Sequence, residues 1–240
     1  MAVEKITTAS RLKVIISGHV VEVYEYEKPV WFGFDSLGGR NHEGDEERKD
    51  EYRQQRNMRC RREIIRLATS NFDVEGCTFA TFTFAENLTN VRLANAHFKR
   101  FIQRLRRRYG DFKYLAVIEF QKRGAVHYHC IFTIPYIPNA ELRDVWSHGF
   151  VKITAAKHVD NIGAYVVKYM TKNAYDERLD GQKAYLTSRN LEKPVELTGT
   201  LAQKVVDNML RDKKEVFRSE YQTEHQGNTV RLEYNLKRLR

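Results

Sequence analysis

Two apolar runs joined by a short polar link, within residues 114–132, restrict the fold of this chain more than any other feature. They read Tyr-Leu-Ala-Val-Ile-Glu-Phe and Val-His-Tyr-His-Cys-Ile-Phe, on either side of Gln121–Ala125. Runs of this length and composition are typical of buried strands joined as a hairpin. Ionisable side chains in buried strands are costly unless something compensates them. The hairpin has three, Glu119, His127 and His129, and one bound metal ion would compensate all of them.

The register of this hairpin decides whether the three side chains can meet. His127 and His129 share a face because successive side chains of a strand alternate. If the link has an odd number of residues centred on Arg123, Glu119 pairs with His127, with Cβ atoms about 5 Å apart. An even link would turn Glu119 to the other face. The predicted metal ligands Glu119, His127 and His129 therefore depend on an odd link or a bulge.

A second group of polar side chains is predicted on a helix over residues 160–173. Tyr165, Tyr169 and Lys172 follow the i, i+4, i+7 spacing of one helix face, and Lys168 lies beside them. A tyrosine hydroxyl can act as a nucleophile, and nearby lysines would favour the phenolate and neutralise a phosphate. The same pattern is typical of tyrosines that only pack, so this motif alone does not decide between the two.

Charge and cysteine usage narrow the class of protein. The 240 residues carry a formal net charge of +10, which favours a polyanionic partner, nucleic acid first. The three cysteines form no Cys-x-x-Cys pair, and the sequence contains no phosphate-binding GxxxxGK[ST] loop. We expect neither a signal peptide nor a membrane span, and hence a reduced, cytoplasmic protein without an ATP-driven motor.

Arginine-rich helices and threonines near the hairpin are candidates for contact with DNA. Helices are predicted over residues 46–70 and 90–109, each with an apolar stripe and many arginines. A solvated surface is the alternative explanation for such a basic face. Threonines 81 and 83 share one face of a strand predicted over residues 77–84. The predicted DNA-binding residues are Thr81, Thr83, Arg104, Arg107, Arg108, Arg123, Arg59 and Arg62.

The order of predicted elements from residue 77 onward is β-α-β-β-α-β-α. This order favours an α+β fold with a central antiparallel sheet of about five strands and helices on one face. We divide the chain into N-terminal strands with a basic helical arm (residues 1–70), a core (71–175) and a C-terminal extension (176–240). The extension could pack on the N-terminal strands, and one compact domain would also fit.

Three stretches, in this order, resemble the motifs of the HUH endonuclease superfamily. Thr78–Phe84 resembles its aromatic first motif, Val126–Cys130 its His-hydrophobe-His motif, and Tyr165–Lys172 its tyrosine helix. Ala184–Pro194 is similar to segments that follow that helix. The resemblance is to rolling-circle replication initiators (Rep proteins) of small plasmids and phages, in the group that includes the gene II replication proteins of filamentous phages.

This resemblance implies an HUH/RRM-like nuclease core in residues 71–175, working in a bacterial host cell. Glu119, His127 and His129 would hold Mn²⁺ or Mg²⁺, and Tyr165 and Tyr169 would alternate in nicking and rejoining single-stranded origin DNA through a 5′-phosphotyrosine. Tyr169 is favoured for the first attack. Lys168 and Lys172 match lysine positions of the family.

The resemblance also implies partners and leaves rivals open. Origin hairpin or duplex DNA is an expected partner, and a separate host helicase and DNA polymerase are implied because the chain has no helicase domain. An HUH transposase or a relaxase would use similar chemistry, although relaxases typically use three histidines where this chain offers Glu119. Two further rivals are a non-catalytic nucleic-acid-binding protein and a metal-dependent hydrolase in which the tyrosines merely pack.

Overall fold

The computed structural model describes residues 8–33, 46–73, 76–134, 136–154, 162–168, 177–179 and 181–238, with the backbone alone for residues 46–52, 162, 164, 167 and 177. No helix in these ranges is long and apolar enough to cross a membrane. The strands and α-helices, in chain order, are β1 (Thr8–Ser17), β2 (Val20–Phe32), α1 (Glu46–Asn71), β3 (Thr78–Thr83), α2 (Val91–Tyr109), β4 (Tyr114–Phe120), β5 (Val126–Phe132), α3 (Asn139–Trp146), β6 (Val151–Thr154), α4 (Ile162–Lys168), β7 (Tyr185–Thr187), β8 (Val195–Thr198), α5 (Gly199–Val205), β9 (Glu215–Thr223) and β10 (Gly227–Asn235). A short 3₁₀ helix spans Glu177–Leu179, and a π-helical turn, Val206–Leu210, extends α5.

The strands form two antiparallel five-stranded sheets, in the orders β8-β1-β2-β10-β9 and β6-β3-β5-β4-β7. The first sheet belongs to a compact unit made of β1, β2 and the elements from β8 onward, and the second to a unit that runs from α1 to β7. The predicted α+β class with a five-stranded antiparallel sheet is confirmed. The predicted boundaries at residues 70 and 175 differ from these units, because α1 and β7 group with the second sheet.

The second sheet packs one face on α2. Ala94, Phe98, Phe101, Ile102 and Leu105 recur at helical spacing and are buried against that face. The helix begins after Asn90, whose side-chain oxygen accepts a hydrogen bond from the backbone N–H of Leu93, and it ends at Gly110, where φ is +74°. The predicted helix over residues 90–109 is thus present, and its apolar stripe is core.

The other face of the second sheet is covered in part by α1 and α4. Ile64 and Ala68 of α1 and Val166 of α4 pack on the apolar side chains of that face, which are Phe79, Leu115, Val117 and Ile131. The prediction placed helices on one face only. Helices lie on both faces because β3, β4 and β5 present apolar side chains on both sides along part of their length, and each side must be removed from water.

The first sheet has its own core and a buried ion pair on its opposite face. Val14, Val21 and Val23 pack against α5, with Leu232 of β10 beside them. On the other side, the Arg231 guanidinium lies 2.9 Å from the Glu22 carboxylate, which also accepts a hydrogen bond from the hydroxyl of Tyr24. The charged pair is satisfied inside the sheet, as a buried charge must be.

Candidate metal centre

The β4–β5 hairpin has the odd link on which the predicted metal site depends. Glu119 lies directly opposite His127, and Val117 lies opposite His129. The five-residue link Gln121–Ala125 is closed by a hydrogen bond of 2.8 Å from the N–H of Gln121 to the carbonyl of Ala125. Gly124 takes φ = +92°, a conformation that glycine adopts at little cost. The predicted register is confirmed.

The three polar side chains of the hairpin converge at one point. Oε2 of Glu119 lies 2.7 Å from Nε2 of His127 and 2.5 Å from Nε2 of His129. The two Nε2 atoms are 3.2 Å apart, and the imidazole rings stand nearly perpendicular, at 84°. Each side chain is mostly buried but retains some exposure. Glu119, His127 and His129 therefore form a group that could hold a metal ion.

The separations among these atoms fit a divalent ion. Two ligand atoms about 2.1 Å from such an ion and about 90° apart would be about 3.0 Å from each other. The three observed separations of 2.5, 2.7 and 3.2 Å bracket that value. Two imidazoles with one carboxylate suit either a transition ion or a harder divalent ion. They would occupy three neighbouring coordination positions and leave the others open.

A hydroxyl behind one ligand orients it. Oγ1 of Thr81, on the neighbouring strand β3, lies 3.1 Å from Nδ1 of His129. A hydrogen bond at Nδ1 fixes the ring and leaves Nε2 available for a metal. Nδ1 of His127 is buried without a hydrogen-bond partner among the described residues. The two histidines are therefore held differently, one by a hydroxyl and one by packing alone.

The carboxylate of the cluster is ionised well before neutral pH. Burial by itself raises the pKa of Glu119. The hydrogen bonds with His127 and His129, and the charge that these rings carry when protonated, outweigh burial and hold the pKa at about 2. A metal ion would therefore meet a carboxylate that has no proton to lose.

Tyr165 of α4 lies over the same sheet face. Its ring packs edge-on against Phe79 of β3, with the centroids 5.0 Å apart. A pocket of about 20 Å³ is lined by Thr81, His129, Thr154 and Tyr165, among others. That volume holds about one water molecule. The tyrosine helix thus meets the sheet next to one of the candidate ligands. Lys168 is exposed, and Tyr169 and Lys172 lie outside the described residues.

Comparison with protein families supports the sequence motifs. Residues 77–174 match the model of a replication-associated protein family, named for ORF2 and the gene II protein. The chain therefore carries a replication-associated segment of this family, and the resemblance inferred from its motifs is confirmed. The matched segment contains β3, the hairpin and α4, and so all three candidate ligands and Tyr165. No curated protein and no solved structure matches the chain.

Two of the residues predicted to bind DNA lie beside the cluster of this replication-associated segment. Thr81 and Thr83 pair with His129 and His127 and share their face. The hydroxyl of Thr83 donates to the carbonyl of Phe150, at 3.1 Å. Period-2 alternation along β3 also brings Phe79 to this face. The sequence analysis passed over Phe79 although the same signal had found both threonines.

The arginines predicted to bind DNA are spread over several elements. Arg104 donates to the carbonyls of Val145 and Trp146, and so caps the end of α3. Arg108 lies 3.1 Å from Glu141, and Arg107 is exposed on the same helix, α2, on the sheet face away from the cluster. The structure therefore does not bring these three arginines to the candidate metal ligands.

The remaining arginines lie nearer to the ligand-bearing face. Arg123, in the hairpin link, donates to the carbonyls of Phe84 and Ala85, which ties the link to the end of β3. Arg59 is exposed and Arg62 is half-buried on α1, the helix that packs on the cluster's face of the sheet. Of the predicted basic contacts, those on α1 are therefore the better placed.

Proposed function

We propose that this replication-associated protein is a rolling-circle replication initiator that nicks and rejoins single-stranded origin DNA. The observation that carries the proposal is the meeting of the Glu119, His127 and His129 side chains on the sheet face beneath the tyrosine helix. A ligand set of this kind beside a tyrosine matches what covalent cleavage of a phosphodiester requires. The match to the replication-associated family and the net charge of +10 support a nucleic-acid substrate.

In the proposed reaction, Glu119, His127 and His129 hold Mn²⁺ or Mg²⁺. When bound, such an ion supplies Lewis-acid polarisation of the scissile phosphate. The protein's own part is to present three preformed ligands. Thr81 contributes by holding His129 in the orientation that leaves Nε2 free. The ionised Glu119 keeps the donor set anionic, which favours a divalent cation over a proton at this position.

The nucleophile is the hydroxyl oxygen of a tyrosine on α4 or just beyond it. It forms a bond to phosphorus while the bond to the 3′ oxygen of the preceding nucleotide breaks. The products are a 5′-phosphotyrosine and a free 3′-OH, which a host polymerase can extend. Lys168, one helical turn after Tyr165, is placed to favour the phenolate and to offset phosphate charge. Tyr169, with Lys172, is proposed for the first attack, and Tyr165 for the rejoining step.

Rejoining distinguishes this chemistry from hydrolysis. A phosphotyrosine conserves the energy of the phosphodiester bond, so that a 3′-OH can later displace the tyrosine and reseal the strand. Unwinding of duplex origin DNA is assigned to a separate host helicase. Basic side chains of α1 such as Arg59 are proposed to contact the DNA backbone outside the reaction centre.

The test is the formation of a protein–DNA adduct that survives SDS. The protein is incubated with Mn²⁺ and labelled single-stranded oligonucleotides that tile the replicon encoding it. We expect an adduct with the wild type and none with Tyr165→Phe plus Tyr169→Phe. Glu119→Gln should also form none. Tyr136→Phe, at an exposed tyrosine of the same unit, is the matched control and should behave as wild type.

Each contrary result has a definite meaning. Absence of an adduct from the wild type on every oligonucleotide would contradict the nicking proposal and favour a non-catalytic DNA-binding protein. Cleavage without protein attachment would favour a metal-dependent hydrolase. An adduct that persists in the double tyrosine variant would show that another residue is the nucleophile.

A further inference from the structure

The outermost strand next to β3 presents side chains to the ligand-bearing face. In β6, Val151 and Ile153 pack on the α2 side of the sheet, so alternation turns Lys152 and Thr154 to the other side. Thr154 lines the pocket that contains His129, as this alternation requires. Lys152 is exposed, and among the described residues no acidic side chain forms an ion pair with it.

Two cross-strand rows connect β6 with the candidate ligands. Thr81 is the partner of both Lys152 and His129, so Lys152 stands two strands, about 10 Å, from that histidine. In the next row, Thr83 pairs with His127, and its N–H and hydroxyl both donate to the carbonyl of Phe150. Phe150 therefore continues the ladder beside Thr83, on the side of the cluster, two strands from His127.

Phe150 is held in place by its backbone while its side chain is 63% exposed. The preceding residue, Gly149, adopts φ = +153°, and a Cβ there would lie 2.5 Å from the carbonyl oxygen of Thr83 and from the N–H nitrogen of Ala85. Such a close approach of two backbones fixes the segment against the end of β3. An exposed phenyl ring on a rigid support has no evident role in packing, and it loses little entropy when a ligand stacks on it.

We propose that Phe150 and Lys152 form a nucleotide subsite on the β6 edge, one step from the scissile phosphate. Phe150 stacks on the base, and Lys152 contacts the phosphate of the same stretch of single-stranded DNA. Stacking on a fixed aromatic ring beside a cation is how single strands are bound without sequence readout, whereas a duplex hides its base faces. This inference rests on the proposed function, because the subsite is defined relative to the phosphate at Glu119, His127 and His129.

The test separates base from backbone by using two fluorescein-labelled strands, a dT 20-mer and a fully abasic 20-mer. Equilibrium binding to the full-length protein is followed by fluorescence anisotropy at several salt concentrations. We expect Phe150→Ala to weaken binding of the dT strand about tenfold or more and to leave the abasic strand unchanged. Phe150→Tyr, which keeps a stacking ring, should retain wild-type binding.

Lys152→Ala should weaken both strands alike, because it removes a phosphate contact. It should also reduce the slope of log K against log salt concentration by about 0.7. Tyr136→Ala and Lys99→Ala are matched controls at exposed positions. Tyr136 follows the end of β5 near the start of β3, and Lys99 lies on α2 behind the sheet. Both should bind the two strands as wild type does.

Mn²⁺ affinity of each variant serves as the check that the sheet is intact. A loss for Phe150→Ala that is equal on both strands, or no greater than that of Tyr136→Ala, would overturn the subsite. So would an unchanged salt slope in Lys152→Ala. Adduct formation by the wild type reports on the proposed function separately. An adduct without the base-dependent loss contradicts the subsite alone, and the base-dependent loss without an adduct contradicts the nicking proposal alone.

Discussion

One carboxylate oxygen, Oε2 of Glu119, contacts both histidines of the candidate metal centre, while only one histidine has a hydroxyl behind it. The imidazole of His129 is positioned from two sides, by Glu119 and by Thr81. His127 depends on Glu119 and on the packing of its ring. The cluster is therefore sensitive to single atoms, and Thr81 is where this can be tested without removing a ligand.

Thr81→Val removes the hydroxyl at Nδ1 of His129 and keeps the shape of the side chain. We expect Mn²⁺ affinity to fall about 10-fold or more, because groups that orient a metal-bound histidine contribute on that scale. Isothermal titration calorimetry on the full-length protein measures it. Thr83→Val is the control for metal affinity, since the hydroxyl of Thr83 bonds to a backbone carbonyl. Equal losses in the two variants would contradict a specific role for Thr81.

The cysteines provide a second test at this scale. Burial raises the pKa of the Cys60 and Cys77 thiols to about 11, and the Glu63 carboxylate adds to the rise at Cys60. At pH 8 the thiolate fraction should be about 200-fold lower than that of an unperturbed thiol. Alkylation by iodoacetamide should be slower by a similar factor and should increase about tenfold per pH unit up to pH 10.

Mass spectrometry of the alkylated peptides gives the rate for each cysteine. The same protein in urea is the reference, in which both thiols should react as free cysteine does. Reaction of the folded protein at the rate of the urea sample would show that burial does not protect these thiols.

Between elements, the contact that matters most for the proposed reaction is that of α4 with α1. Gly163 is buried where the two helices cross, and a Cβ there would lie 2.8 Å from the carbonyl oxygen of Ile65 and 2.9 Å from Oγ1 of Thr69. The absence of a side chain lets α4 approach α1 closely. That approach sets where Tyr165 meets Phe79 and the sheet.

Gly163→Ala should push α4 away from α1, because Ile65 contributes backbone that cannot move aside. We expect a loss of about 1–3 kcal/mol in the free energy of unfolding, typical of overpacking. Adduct formation should fall while Mn²⁺ affinity remains, since the ligands are on β4 and β5. Gly76→Ala, where a Cβ would meet no atom within 4 Å, is the control. Urea unfolding and the adduct assay measure the two effects, and normal adduct yield at full stability would contradict the role of this crossing.

For the whole molecule, the division into two units places every candidate reaction group in one of them. The buried clusters on both faces of the second sheet draw only on residues from α1 to β7. The candidate ligands and Tyr165 lie within the same limits. The first sheet is assembled from the two ends of the chain, because β8 and β10 pair with β1 and β2.

A fragment of residues 46–192 should therefore fold alone. We expect circular dichroism typical of an α+β protein, cooperative thermal unfolding, and Mn²⁺ affinity within about threefold of the full chain. Mn²⁺ should raise the Tm of the fragment, because a ligand that binds only the folded state stabilises it. His127→Ala in the same fragment is the control and should show no such shift. A fragment that is unfolded, or folded without affinity for Mn²⁺, would contradict this assignment.

Local features of the candidate site follow from the sequence alone. Period-2 alternation places His127 and His129 on one face, and the odd link brings Glu119 to them, because both depend on a few consecutive residues. The helical stripe of α2 could be predicted for the same reason. The second sheet, the short strand β7 and the helices on both faces were not predicted.

Those features depend on tertiary structure, because they require distant segments to pair and pack. β8 and β10 complete a sheet with the N-terminal strands, and nothing in their local pattern names the partner. The row that joins Lys152, Thr81 and His129 likewise exists only once β6 pairs with β3. Alternation tells which residues of a strand share a face, and only strand pairing tells which strands that face will join.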